Sequence, residues 1–144
     1  MKRVSEPTLK LSWKDVQQAV DKIAEQASKF QWDTVIAIMR GGMVPARMVA
    51  AKLGVKNIVI WDRKHGTLGR VEGHALVVDD IADSGATVKA SKFAFGQPVA
   101  VIVSKVDFVD YVGVQMKEDD KRWVIFPWEG GADKLNIRQS VEGD

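Results

Sequence analysis

Four short apolar runs, rich in β-branched residues and each followed by a polar or glycine-bearing break, constrain this chain more than any other feature. They fall at residues 34–39 (TVIAIM), 57–61 (NIVIW), 75–78 (ALVV) and 98–104 (PVAVIVS). Runs of this kind read as strands covered on both faces. Helical patterns lie ahead of them and between them. Val16, Val20, Ile23, Ala24 and Ala27 recur at helical spacing behind Ser12-Trp13-Lys14-Asp15, a capping box, and predict an amphipathic helix over about 12–30. Residues 44–53 (VPARMVAAKL) predict a second helix, with Pro45 tolerated in its first turn and Gly54 at its C-terminal stop. A third is expected from near Thr87 to about Phe95, and a fifth strand at 111–114. Strands alternating with helices predict an α/β fold with a mainly parallel twisted sheet flanked by helices. A length of 144 residues suits one domain spanning 1–144.

Composition removes several kinds of chemistry. The absence of cysteine excludes disulfides, thiolate nucleophiles and sulfur-ligated zinc. His65 and His74 stand nine positions apart, without metal-ligand spacing. No apolar run approaches the roughly 20 residues that span a bilayer, and the two cations of MKRVSEPTLKLSW precede no apolar stretch. A cytoplasmic protein with no membrane partner is expected. A net charge of +2 neither requires nor forbids an anionic partner.

In parallel sheets, ligands bind beyond the carboxyl ends of the strands. That rule selects Arg40-Gly41-Gly42, Asp79–Thr87, and Lys105 with the residues after it. The second is the richest: VVDDIADSGAT (77–87) places a buried strand, two adjacent carboxylates and a third carboxylate ahead of Ser-Gly-Ala-Thr, which opens a helix. Gly85 permits close backbone approach, Ser84 and Thr87 offer hydroxyls, and amides at a helix N-terminus attract an anion. Carboxylates suit ribose hydroxyls and, through water, Mg²⁺. One turn therefore offers places for a sugar, its phosphate and a metal.

This segment resembles the phosphoribosyl pyrophosphate (PRPP) signature of type I phosphoribosyltransferases, an acidic pair at a strand end followed by D-[ST]-G-x-T. The resemblance implies that Asp79 and Asp80 bind the ribose hydroxyls, directly or through Mg²⁺. It implies that Asp83, Ser84, Gly85, Ala86 and Thr87 surround the 5′-phosphate. Asp83 would also act as general base, near a ring nitrogen of the acceptor. Ala86 stands where many members have glycine, which is tolerated where the backbone is helical. Ile38-Met39-Arg40-Gly41-Gly42 is similar to the family's pyrophosphate loop. It implies pyrophosphate contacts from Arg40 and Gly41 and a cis peptide at Met39–Arg40 or Arg40–Gly41.

Lys105 after the fourth strand, with Trp123 eighteen residues later heading WVIFPWE, resembles the short microbial xanthine-guanine and hypoxanthine-guanine phosphoribosyltransferases. An aromatic face stacks on a purine, a lysine donates to O6, and main-chain groups read the opposite edge. The resemblance assigns Lys105 to O6 and Trp123 to stacking. Val124 and Glu129 would approach the N1/C2 edge through their backbones, within a small base-binding hood. Trp128 and Phe126 read as structural.

Residues 62–73 (DRKHGTLGRVEG), polar and with three glycines, read as a loop or mobile hairpin. By resemblance they form a lid, in which Arg63, Lys64 and Arg70 could meet the pyrophosphate, although the Ser-Tyr pair of many members is lacking. The activity implied is purine salvage: transfer of a 5-phosphoribosyl group from PRPP to guanine, xanthine or hypoxanthine, with Mg²⁺. The family also implies a homo-oligomer, for which the exposed-looking Trp13, Trp32 and Trp61 could serve as contacts, although core packing explains them equally well. Two alternatives stay open. One is a PRPP- or nucleotide-sensing regulatory or nucleic-acid-binding relative without turnover. A nearly balanced charge and too little chain ahead of residue 33 for a helix-turn-helix speak against nucleic acid. The other is a phosphoribosyltransferase for another base.

Overall fold

The computed structural model describes residues 7–129. Its elements run β1 (Thr8–Lys10), α1 (Trp13–Ala27), β2 (Thr34–Ile38), α2 (Met43–Leu53), β3 (Asn57–Asp62), β4 (Gly66–Leu68), β5 (Ala75–Ala82), α3 (Ala86–Phe95), β6 (Val99–Ser104), β7 (Tyr111–Gln115) and β8 (Trp123–Ile125). Six strands form one sheet in the order β4-β3-β2-β5-β6-β7. All neighbours are parallel except β3 and β4. The expected mainly parallel α/β fold is therefore present.

The chain leaves β2 through α2 toward β3 and leaves β5 through α3 toward β6, in opposite directions from the middle of the sheet. Right-handed crossovers then put α2 and α3 on opposite faces. Side-chain alternation agrees. Val35, Ala37, Leu76, Val78, Ala100 and Ile102 pack with α1 and α2, while Ile36, Ile38, Val77, Val99 and Val101 pack with Val88 of α3. On that second face Trp61 meets Phe95 edge-on at 5.3 Å.

The expected capping box of α1 is formed. The Ser12 hydroxyl accepts from the Asp15 amide at 3.0 Å, and the Asp15 carboxylate accepts from the Ser12 amide at 2.8 Å. These two bonds hold the Asp15 carboxyl below its ordinary range, the Ser12 backbone bond most of all. The helix stops at Ala27 rather than near residue 30 because other groups take its last carbonyls. The Ser28 hydroxyl donates to Glu25 and the Trp32 indole to Ala27.

Two open readings are resolved and one expectation changes. Residues 62–73 contain the edge strand β4, which makes the segment a hairpin on β3. Strand β5 does not end at Val78 but runs on through both aspartates to Ala82. Trp61 is buried at 8% exposure, and Trp32 is half-buried with its indole bonded to Ala27. Core packing thus accounts for Trp61 and largely for Trp32, and of these three tryptophans Trp13 alone is exposed. Outside the main sheet, β1 pairs in parallel with β8, joining the two ends of the described chain. No helix among the described residues is long and apolar enough to cross a membrane.

Gly113 in β7 lets α1 approach the sheet. A Cβ there would lie 2.5 Å from the Ala19 Cβ and 2.8 Å from the Ile102 carbonyl oxygen. Gly113→Ala is expected to cost about 1–3 kcal/mol by overpacking. Urea unfolding should show a lower midpoint at unchanged slope.

Candidate active site

β2 pairs with β5 only as far as Ala37 opposite Val78, whereas β6 accompanies β5 to Ala82 opposite Ser104. Residues 79–82 therefore overhang on the β2 side at the carboxyl end of the sheet, where the connections diverge and ligands bind in such folds. Asp79 is 6% exposed, and its carboxylate accepts from the Asp80 amide at 2.8 Å. The Asp80 carboxylate accepts from the Ile81 amide at 2.7 Å.

The segment after β2 fills the gap beside this overhang. The Met39–Arg40 peptide is cis, at one of the two bonds expected from the sequence. The amides of Met39 and Gly42 donate to the carbonyls of Trp61 and Ile38, which fixes the turn at both ends. A Cβ on Gly41 would run into the Asp80 carboxylate, and one on Gly42 into the Val78 carbonyl oxygen. Both glycines are required for the turn to lie against β5, and the turn brings the exposed Arg40 to the side of the acidic pair.

After β5 the chain turns through Asp83 and Ser84, both exposed, into α3. Gly85 adopts φ 85°, in the left-handed region open to glycine. Ala86 already belongs to the helix, which satisfies the condition for a methyl at that position. The Ser84 hydroxyl accepts from the Ala86 amide at a long 3.3 Å. The Thr87 hydroxyl accepts from the Arg63 guanidinium at 3.2 Å. A Cβ on Gly85 would collide with the Phe108 ring, and the Lys89 ammonium lies 5.1 Å from that ring's centre. Phe108 therefore walls the turn, a role with no sequence signal.

Lys105 arrives from the end of β6. Its amide donates to the Ala82 carbonyl at 2.9 Å, and Ser104 and Gln115 brace the segment. The Ser104 hydroxyl bonds the Val106 backbone, and the Gln115 side-chain amide lies 3.0–3.1 Å from the carbonyls of Ser104, Val106 and Met116. Neither supporting residue carries a signal in the sequence, because each looks like an ordinary polar residue of a strand. The Lys105 ammonium, on a side chain only 11% exposed, lies 3.7 Å from the Asp83 carboxylate. It also donates to the Arg122 carbonyl at 3.3 Å, one peptide from Trp123. Arg122 is itself held by Asp120, whose carboxyl that guanidinium pulls down to about 2.

Trp123 and Val124 lie in β8. The Trp123 amide donates to Pro7 and the Ile125 carbonyl accepts from Leu11, so these flanking residues face β1. By the alternation of a parallel ladder, the peptide groups of Val124 point to the opposite edge. The Val124 side chain is buried in the core. Glu129 closes a turn, its carboxylate accepting from the Phe126 amide at 2.8 Å and its amide donating to the Phe126 carbonyl at 3.0 Å. Phe126 is fully buried and stacks on Trp128 at 4.8 Å.

No family model matches the sequence. Solved structures do match the fold. A purine phosphoribosyltransferase from Pyrococcus horikoshii superposes with a TM-score of 0.70 at 22% identity, over 86% of this chain and 95% of that one. The Helicobacter pylori xanthine-guanine-hypoxanthine phosphoribosyltransferase gives 0.64 at 18% identity, over 90% and 97%. The chain has the type I phosphoribosyltransferase fold. A hypothetical protein from Neisseria gonorrhoeae with bound ppGpp shares that fold, with a TM-score of 0.70 at 18% identity over 96% of this chain and 99% of that one.

The donor set bears on the metal this fold implies. Among the described residues no three His, Asp or Glu side chains cluster into a cage. Asp79 and Asp80 offer oxygen ligands alone, the kind suited to Mg²⁺ that keeps waters and shares its shell with substrate oxygens.

The contact between Gly41 and Asp80 can be tested by a thermodynamic cycle. Gly41→Ala is expected to lose about 1–3 kcal/mol. In an Asp80→Ala background the same substitution should cost less, since the carboxylate it meets is gone. Denaturant melts of the single and double variants check the coupling.

Proposed function

We propose that this protein transfers the 5-phosphoribosyl group of PRPP to a 6-oxopurine, releasing pyrophosphate. The observation that carries the reading is the meeting of Lys105 with Asp83 at the end of the acidic turn. It sets a cation that can donate to O6 next to a carboxylate that can take a ring proton. An adenine, with an amino donor at position 6, would face that cation unfavourably.

In this reading Ser84–Thr87 hold the 5′-phosphate with hydroxyls and helix-end amides. Asp79 and Asp80 hold the ribose hydroxyls, and Arg40 with Gly41 holds the pyrophosphate. Trp123 stacks on the base, while the backbone of Val124, with Glu129 beyond it, reads the N1/C2 edge. The purine nitrogen forms a bond to C1 as the bond from C1 to pyrophosphate breaks. The pyrophosphate leaves with the electron pair, and the N7 proton passes to Asp83. Asp79 and Asp80 would hold Mg²⁺, directly or through water, and the bound ion would neutralise charge on the leaving group. The site residues assemble within one domain, and the activity belongs to a cytoplasmic salvage enzyme of homo-oligomeric form.

A second reading, nucleotide sensing without turnover, is favoured by the Neisseria relative, which has the same fold and binds ppGpp. The assay separates the two. Purified protein with Mg²⁺, PRPP and each of guanine, hypoxanthine, xanthine and adenine is expected to yield a nucleotide from at least one 6-oxopurine and none from adenine. Absence of any nucleotide, with ppGpp binding retained, selects the sensor. Asp83→Asn is expected to lower kcat by roughly 10²–10⁴-fold, the usual contribution of a general base. PRPP affinity should stay near that of the wild type; an unchanged kcat removes Asp83 from the chemistry.

A further inference from the structure

We infer that Arg63, in the turn of the β3–β4 hairpin, is a ligand of the 5′-phosphate rather than of the pyrophosphate, so that the hairpin reads the phosphate end of the nucleotide. The inference rests on the assignment of residues 84–87 as the phosphate cradle. It concerns a residue for which the sequence suggests the opposite end of PRPP.

The sheet sets the position of this side chain. Trp61 is the last β3 residue opposite β2, paired with Ile38, and the β2 chain then turns away at Arg40. Arg63 comes two positions later and reaches past the end of β2 to the α3 side. There Nη1 donates to the Thr87 hydroxyl at 3.2 Å. The backbone that carries it is set by Asp62, whose carboxylate accepts from the Lys64 amide at 2.9 Å and meets His65 Nδ1 at 3.0 Å. Those bonds, the one to His65 foremost, also hold the Asp62 carboxyl below its ordinary range. The hairpin thus delivers its guanidinium to a hydroxyl of the cradle, on a side chain that is otherwise exposed.

Charge explains why a cation is wanted there. The turn from Asp79 to Val88 carries three carboxylates and no basic residue. A phosphate monoester brings close to two further negative charges. Lys105 is engaged by Asp83, and Lys89 lies over the Phe108 ring. A guanidinium has five donors in a planar fork, one of which is on Thr87, and matches phosphate oxygens in pairs.

The test is calorimetric binding of ribose 5-phosphate, GMP, guanosine and Mg²⁺-pyrophosphate to the wild-type protein and to Arg63→Ala, Arg63→Lys and Lys56→Ala. Lys56 is exposed just ahead of β3 and controls for loss of one positive charge. Arg63→Ala is expected to weaken ribose 5-phosphate and GMP by about 10- to 100-fold, the usual value of a charge-assisted hydrogen bond. Guanosine and Mg²⁺-pyrophosphate should bind as before. Arg63→Lys should recover part of the loss, and Lys56→Ala should match the wild type. Unchanged GMP affinity in Arg63→Ala, or loss of pyrophosphate binding instead, overturns the inference. GMP held through Arg63 by a protein that makes no nucleotide would sink the transferase reading and leave this one standing. Turnover with Arg63-independent GMP binding would do the reverse. A wild-type protein that binds neither GMP nor ribose 5-phosphate overturns both.

Discussion

Beyond Val78, β5 loses its β2 neighbour while keeping β6 as far as Ala82, and this one-sided pairing gives the acidic residues a place to stand. A strand paired on both sides would hand its backbone to the ladder and its side chains to the two helical layers. Here the carboxylates of Asp79 and Asp80 instead accept from the amides immediately after them. The vacated flank is filled by Arg40-Gly41-Gly42, and only residues without a Cβ fit so close. The same divergence sends α2 and α3 to opposite faces, so the turns entering both helices converge on the acidic pair.

Cations from separate elements then compensate this acidity. Lys105 comes from the end of β6, Arg63 from beyond β3 and Arg40 from beyond β2. Each is placed by backbone interactions that leave the charged head its reach. Lys105 is braced by Ser104 and Gln115, Arg63 by the Asp62 turn, and Arg40 by the bonds of Met39 and Gly42.

How far each element is legible in the sequence depends on how local its signal is. The buried strands can be read because continuous β-branched runs have few other uses, and the α1 cap because its partners are three residues apart. Strand β1, with the sequence Thr-Leu-Lys and two exposed residues of three, carries no periodicity and owes its form to β8. The continuation of β5 is hidden because two aspartates are poor strand formers, and pairing with β6 overrides that preference. Residues 79–87 announce themselves by composition. The bond from Arg63 to Thr87 and the packing of Phe108 on Gly85 join segments more than twenty positions apart, and nothing in either segment alone specifies the other.

The pairing of β1 with β8 fixes which way the backbone of β8 faces. Trp123 and Ile125 turn their peptide groups to β1, which leaves those of Val124 facing the other way while its side chain is locked in the core. On the transferase reading, the base edge is met by main chain at this position. Replacing the Val124 side chain would then disturb packing without changing the donors and acceptors offered. On that reading the placement of the Val124 peptide sets the choice among guanine, xanthine and hypoxanthine, and two features govern that placement. One is its register with Thr8–Lys10; the other is the reciprocal turn between Phe126 and Glu129. On the same reading, selectivity at C2 is tied to the packing of the two ends of the described chain against α1, and selectivity at position 6 to the charge on Lys105.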